Sequence, residues 1–124
     1  MKNLKFIVIA AALFSAFAPM QASAQFYRGN IVRVAQNGSD NAAVVGQNGA
    51  GNTARIAQNG NGNTGRIVQN GLHNRACLYQ RGNGLDGAIA QQGNGQRTVA
   101  VQTNRGTRVG AGHVQIGRLA YQCR

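Results

Sequence analysis

Residues 54–71 read Ala-Arg-Ile-Ala-Gln-Asn-Gly-Asn-Gly-Asn-Thr-Gly-Arg-Ile-Val-Gln-Asn-Gly, one short phrase written twice eleven residues apart. Extending that register in both directions places glutamine at Gln36, Gln47, Gln58, Gln69, Gln80, Gln91 and Gln102. A fixed period held through so many units is the mark of a repeat architecture. Within a unit the residues alternate. The position two before each glutamine is Val34, Val45, Ile56, Ile67, Leu78, Ile89 and Ala100, uniformly apolar. The position three before is Arg33, Val44, Arg55, Arg66, Cys77, Ala88 and Val99, mixed and partly charged. A strand sends alternate side chains to opposite faces, so the first column and the glutamines belong inside and the second outside.

Each strand ends in a turn. Asn37-Gly38, Asn48-Gly49, Asn59-Gly60 and Asn70-Gly71 follow the first four glutamines, and Gly82 and Gly93 hold the same place later. Asn and Gly accept the positive φ that tight turns demand. A second asparagine stands at Asn41, Asn52, Asn63 and Asn74, where the next strand begins. The pattern predicts an all-β fold, a β-solenoid of stacked two-strand coils. Each coil has about 22 residues in two 11-residue halves. Coils stacked at about 4.8 Å set like residues above like, in cross-β fashion, and buried Gln and Asn can then hydrogen-bond to their own copies as amide ladders. Without such partners a buried amide costs a few kcal/mol. An amphipathic helix fails because Gly and Asn-Gly interrupt any apolar stripe.

The start of the chain differs from the repeats. Lys2 and Lys5 precede an apolar run from Phe6 to Ala18, and Ala22-Ser23-Ala24 has the small-x-small form of a processing site. Residues 1–24 therefore read as a secretory signal peptide rather than a membrane span, for which the run is short. Residues 25–30 form a short lead-in, 31–106 the repeat solenoid, and 107–124 a basic, degenerate C-terminal tail. The only proline, Pro19, and both lysines lie in the leader. Eleven arginines then face Asp40 and Asp86, a mature charge of +9.

The repeat resembles the curlin repeat of bacterial curli amyloid fibre subunits, Gln-x-Gly-x-x-Asn-x-Ala-x-x-x-Gln. Gln36, Gly38, Asn41, Ala43 and Gln47 match it, as do the units opening at Gln47 and Gln69; the unit at Gln58 has Gly65 in place of alanine. The resemblance implies a secreted subunit of an extracellular, pilus-like curli fibre at the bacterial cell surface, serving adhesion and biofilm. It also implies other curli-type subunits and an outer-membrane export machinery as partners. The degenerate C-terminus is similar to that of the minor, nucleating subunit type. The chain departs from the family in having Asn where alternate strands begin with Ser, and in a much shorter N-terminal segment.

From the bottom up, a stack of three and a half coils exposes unpaired backbone groups and amide side chains at both ends. No Pro or Lys remains in the mature part to blunt them. Templated head-to-tail growth follows as the expected function. The alternative is a monomeric basic solenoid that binds anionic polymers such as lipopolysaccharide, DNA or polysaccharide, with Arg105, Arg108, Arg118 and Arg124 as surface contacts. Two cysteines in an exported chain suggest a disulfide. Counting coils, however, puts the region of Cys123 about 10 Å above Cys77, so pairing needs the tail to fold back; a cross-link between subunits and two free thiols are the alternatives. His73 falls in a turn and His113 stands where a glutamine is due, neither with neighbouring ligands. With two carboxylates and one serine in the mature chain, no catalytic set can be assembled, so neither an enzyme nor a metal or cofactor is expected.

Overall fold

The computed structural model describes residues 6–7, 20–26, 29–116 and 118–123. Those residues contain twelve strands: β1 (Phe6–Ile7), β2 (Met20–Phe26), β3 (Asn30–Asn37), β4 (Ala42–Ala50), β5 (Thr53–Asn59), β6 (Thr64–Leu72), β7 (Arg75–Arg81), β8 (Asp86–Gln92), β9 (Arg97–Thr103), β10 (Gly106–Gly110), β11 (His113–Ile116) and β12 (Leu119–Gln122). Most of the expected signal peptide lies outside the described residues; its processing site falls within β2.

β3 to β9 are the rungs of a solenoid. Odd-numbered rungs pair in parallel to form one sheet, with Gln36 beside Gln58, Gln58 beside Gln80 and Gln80 beside Gln102. Even-numbered rungs form the facing sheet, with Gln47 beside Gln69 and Gln69 beside Gln91. The pairing offset is 22 residues throughout, so the chain is an all-β solenoid of stacked 22-residue coils. Val32, Val34, Val45, Ile56, Ile67, Leu78, Ile89 and Ala100 close the space between the sheets as one core.

The turns explain the glycine column. At Gly60 φ is +126° and at Gly71 +130°, and a Cβ at either would run into the carbonyl oxygen of the glycine one coil above. Only glycine lets neighbouring coils approach to strand spacing there. Three residues beyond a turn glycine, Asn52 Nδ2 donates to Gly71 O at 2.9 Å and Asn63 Nδ2 to Gly82 O at 2.8 Å, tying each corner to the next.

After Thr103 the solenoid stops. β10 reverses and lies antiparallel on β9, from Gly106 beside Thr103 to Gly110 beside Val99. The β11–β12 hairpin then folds back over the outer face of the odd sheet, where Cys77, Val99, Val101, Val114 and Cys123 form a second buried cluster. The expectation that both ends of the stack stay open is corrected here: on the odd sheet the C-terminal edge is covered by β10. Physically, β7 and β9 are apolar on both parities, so both of their faces need cover.

Candidate functional site: the amide ladder and its ends

From β4 to β8 each rung contributes three inward residues, a small one, a large apolar one and a glutamine. Because the chain doubles back at each turn, the small residue of one sheet faces the glutamine of the other. A methyl group on Gly65 would lie 3.0 Å from Ile56 Cγ2, 3.1 Å from Gln58 Nε2 and 3.2 Å from Gln80 Oε1. The small column Ala43, Ala54, Gly65, Ala76 and Gly87 therefore makes room for the glutamines. In the sequence the signal for this column is its smallness at a fixed period.

The glutamines bond side chain to side chain. In the odd sheet Gln36 Nε2 donates to Gln58 Oε1 at 2.6 Å, Gln58 Nε2 to Gln80 Oε1 at 2.7 Å and Gln80 Nε2 to Gln102 Oε1 at 2.8 Å. In the even sheet Gln47 Nε2 donates to Gln69 Oε1 and Gln69 Nε2 to Gln91 Oε1, both at 2.8 Å. The second amide hydrogen crosses the core: Gln58 Nε2 reaches Ala42 O at 2.8 Å and Gln69 Nε2 reaches Thr53 O at 3.0 Å. Gln47, Gln58, Gln69 and Gln80 thus each tie two coils and two sheets together. The glutamine-to-glutamine bonds all run in one direction, toward the C-terminal end, so the ladder has a polarity.

The asparagines behave differently from expectation. Asn41, Asn52, Asn63 and Asn74 do not bond to one another's side chains. Asn41 Oδ1 accepts from Asn63 N at 3.0 Å and Asn52 Oδ1 from Asn74 N at 3.0 Å, while the Nδ2 groups donate to turn carbonyls. A corner leaves main-chain donors and acceptors within reach, and the short Asn side chain meets these before its own copy. The ladder closes where asparagine gives out: Leu85 N and Gln96 N are the last donors, to Asn63 Oδ1 and Asn74 Oδ1, each at 3.0 Å.

Cys77 and Cys123 are disulfide-bonded, with Cα atoms 5.4 Å apart. The reversal at β10 supplies the fold-back that coil counting required. Around the bond, Tyr79 Oη donates to Gln122 O at 2.8 Å and the Tyr79 and Tyr121 rings lie 5.1 Å apart.

The arginines are distributed unevenly. Arg33, Arg55, Arg75, Arg81 and Arg97 project from the outer face of the odd sheet, where Arg33 pairs in register with Arg55 and Arg75 with Arg97. Arg66 stands on the opposite face, as expected from its place on the next half-coil. Arg105, Arg108 and Arg118 are exposed on the C-terminal segment, and Arg124 lies outside the described residues. His73 sits exposed in its turn and His113 opens β11, away from the ladder. Among the described residues there is no group of three or more His, Cys, Asp or Glu that could hold a metal ion, and no helix long and apolar enough to cross a membrane.

Parallel coils of constant length, glycine corners and buried amide ladders define a β-solenoid built from one repeated structural unit. Residues 29–60 match the family described as the curlin associated repeat. No curated protein and no solved structure matches the chain. The repeat and the fold are structural rather than enzymatic.

Proposed function

We propose that this protein is a secreted subunit of an extracellular curli-type amyloid fibre, acting in adhesion and biofilm at a bacterial surface. Its signal peptide is removed after Ala24 and its coils join those of other curlin-type chains. The observation that carries this reading is the identity of successive rungs: each buried Gln lies over the Gln 22 residues away with the same donor and acceptor atoms engaged. A further coil brought by another chain would meet the same pattern that the internal coils present to each other. Export through an outer-membrane machinery belongs to the same proposal.

The test is assembly of the chain 25–124 under reducing conditions, followed by thioflavin fluorescence and fibre diffraction. Growth whose lag disappears on seeding, with reflections near 4.8 and 10 Å, is the expected result. A chain that stays monomeric and β-rich sinks the proposal.

A second reading is favoured by the five arginines on one outer face: the solenoid binds an anionic polymer such as lipopolysaccharide, DNA or polysaccharide. Affinity for a DNA duplex should then fall steeply with salt, because neutralised phosphates release counterions. Affinity unchanged between low and physiological salt contradicts it.

A further inference from the structure

The two ends of the stack are chemically unlike. At the N-terminal end, with β1 and β2 in place, Gln47 is 4% exposed and its Oε1 has no hydrogen-bond partner among the described residues. Every other glutamine of that ladder receives a donor from the coil below: Gln69 from Gln47 and Gln91 from Gln69. Removal of β1 uncovers this acceptor, and the group that fits it is a glutamine Nε2 from a preceding coil. The C-terminal end shows no such vacancy. Gln91 Nε2 donates to Arg75 O and Thr98 Oγ1, and Gln102 Nε2 donates to Asp86 O.

The ends differ in shape as well. The even sheet finishes at β8, whereas the odd sheet continues through β9 and β10. That end is stepped, and the hairpin pinned by Cys77–Cys123 holds it so. At the other end β3 and β4 finish the two sheets together, covered by β2 and β1. Five of the seven residues of β2, and all of β1, precede the processing site after Ala24. Cleavage leaves a flush two-strand edge.

We propose that the oxidised mature chain is a one-ended unit. Its N-terminal coil docks the final coil of a second curlin-type chain, one that ends in an uncapped two-strand coil and offers a glutamine amide to Gln47 Oε1. At its own C-terminal end the disulfide-pinned β10–β12 segment closes the odd sheet, so that only the single β8 edge remains and no full coil can dock. A second oxidised copy of this chain is a poor occupant, because it presents the stepped end. The inference rests on the fibre reading above and adds a polarity and a redox lock to it.

The test compares elongation of chain 25–124 with the disulfide intact, the same sample after dithiothreitol, and the Cys77→Ser/Cys123→Ser variant, all onto fibrils grown from the reduced chain. Circular dichroism checks that each stays β-rich. The disulfide closes a loop with a sequence separation of 46. In the chain-entropy account such a loop makes opening of the cap rarer by about a thousandfold. The oxidised chain should therefore elongate at least about a hundredfold more slowly, and reductant added at the plateau should restart growth. In two-colour microscopy, substoichiometric oxidised chain should halt one fibre end and leave the other growing. Equal elongation in all three samples, or arrest of both ends or of neither, overturns the inference and leaves the fibre reading standing. No cross-β growth in any sample overturns the fibre reading and this inference with it.

Discussion

Replacing Gln69 with leucine probes the interior of the ladder. Gln69 is 1% exposed and takes part in three hydrogen bonds: it accepts from Gln47 Nε2 and donates to Gln91 Oε1 and to Thr53 O. Leucine has similar bulk and none of the polar atoms. Gln47 Nε2 keeps Ile31 O as an acceptor at 3.2 Å, but Gln91 Oε1 loses the donor it receives from this ladder. At about 0.5–1.5 kcal/mol net per bond and about 1–3 kcal/mol for a stranded buried acceptor, less the gain from burying an apolar side chain, the loss should be about 2–5 kcal/mol. Gln102 serves as the comparison. It is only half-buried, and its partner Gln80 Nε2 retains Thr64 O at 2.8 Å and Leu85 O at 3.2 Å, so Gln102→Leu should cost about 1 kcal/mol. Guanidinium unfolding of the dilute, oxidised chain, followed by circular dichroism, measures both. A Gln69→Leu chain as stable as the parent, or a larger loss at Gln102, refutes the claim that the amide ladder holds the coils together.

Other outcomes follow from particular residues. His73 and Asp40 have φ of 55° and 56°, a conformation taken by Gly51, Gly62, Gly84 and Gly95 in the equivalent turns, so His73→Gly should raise stability by about 0.5–1 kcal/mol in the same unfolding assay. Gly71→Ala should cost more than about 2 kcal/mol, because its methyl group meets Gly93 O, whereas Gly84→Ala, with nothing within 4 Å, should cost only about 1 kcal/mol; the two melting temperatures compare them directly. Reducing Cys77–Cys123 should lower stability by up to about 4 kcal/mol and expose Val99 and Val101 to a hydrophobic dye. Gly65→Ala should shift the neighbouring glutamines and cost about 1–3 kcal/mol, as overpacking does, read from the same denaturation curves.

The coils were legible because their period is in the sequence. A large apolar residue two before each glutamine fixes strand parity, and Asn-Gly at a constant offset fixes the corner. The Gln column follows from burial, since an amide inside a stack has only its copies and the main chain to bond with. The asparagines were harder to read. They too repeat every eleven residues, but they stand at corners where the backbone turns its own groups inward, and identical spacing does not separate a side-chain ladder from a side-chain-to-backbone one. The C-terminal cap was least legible. Once β10 runs antiparallel, counting by 22 no longer locates a residue, so Cys123 could not be placed opposite Cys77 by register. A signal was present in β7 and β9 all the same: Cys77, Tyr79, Val99 and Val101 make the outward parity apolar on two neighbouring rungs of one sheet. Those rungs needed a cover, and the hairpin provides it.

In the proposed fibre, coils continue from one chain into the next. Cryo-electron microscopy of fibres grown from the reduced 25–124 chain tests it most directly. Seven rungs in three and a half coils should advance the fibre by about 17 Å per chain, with glutamine above glutamine across the junction and a neighbour's amide on Gln47 Oε1. One chain per layer of about 4.8 Å, each lying flat on identical copies of itself, would contradict it.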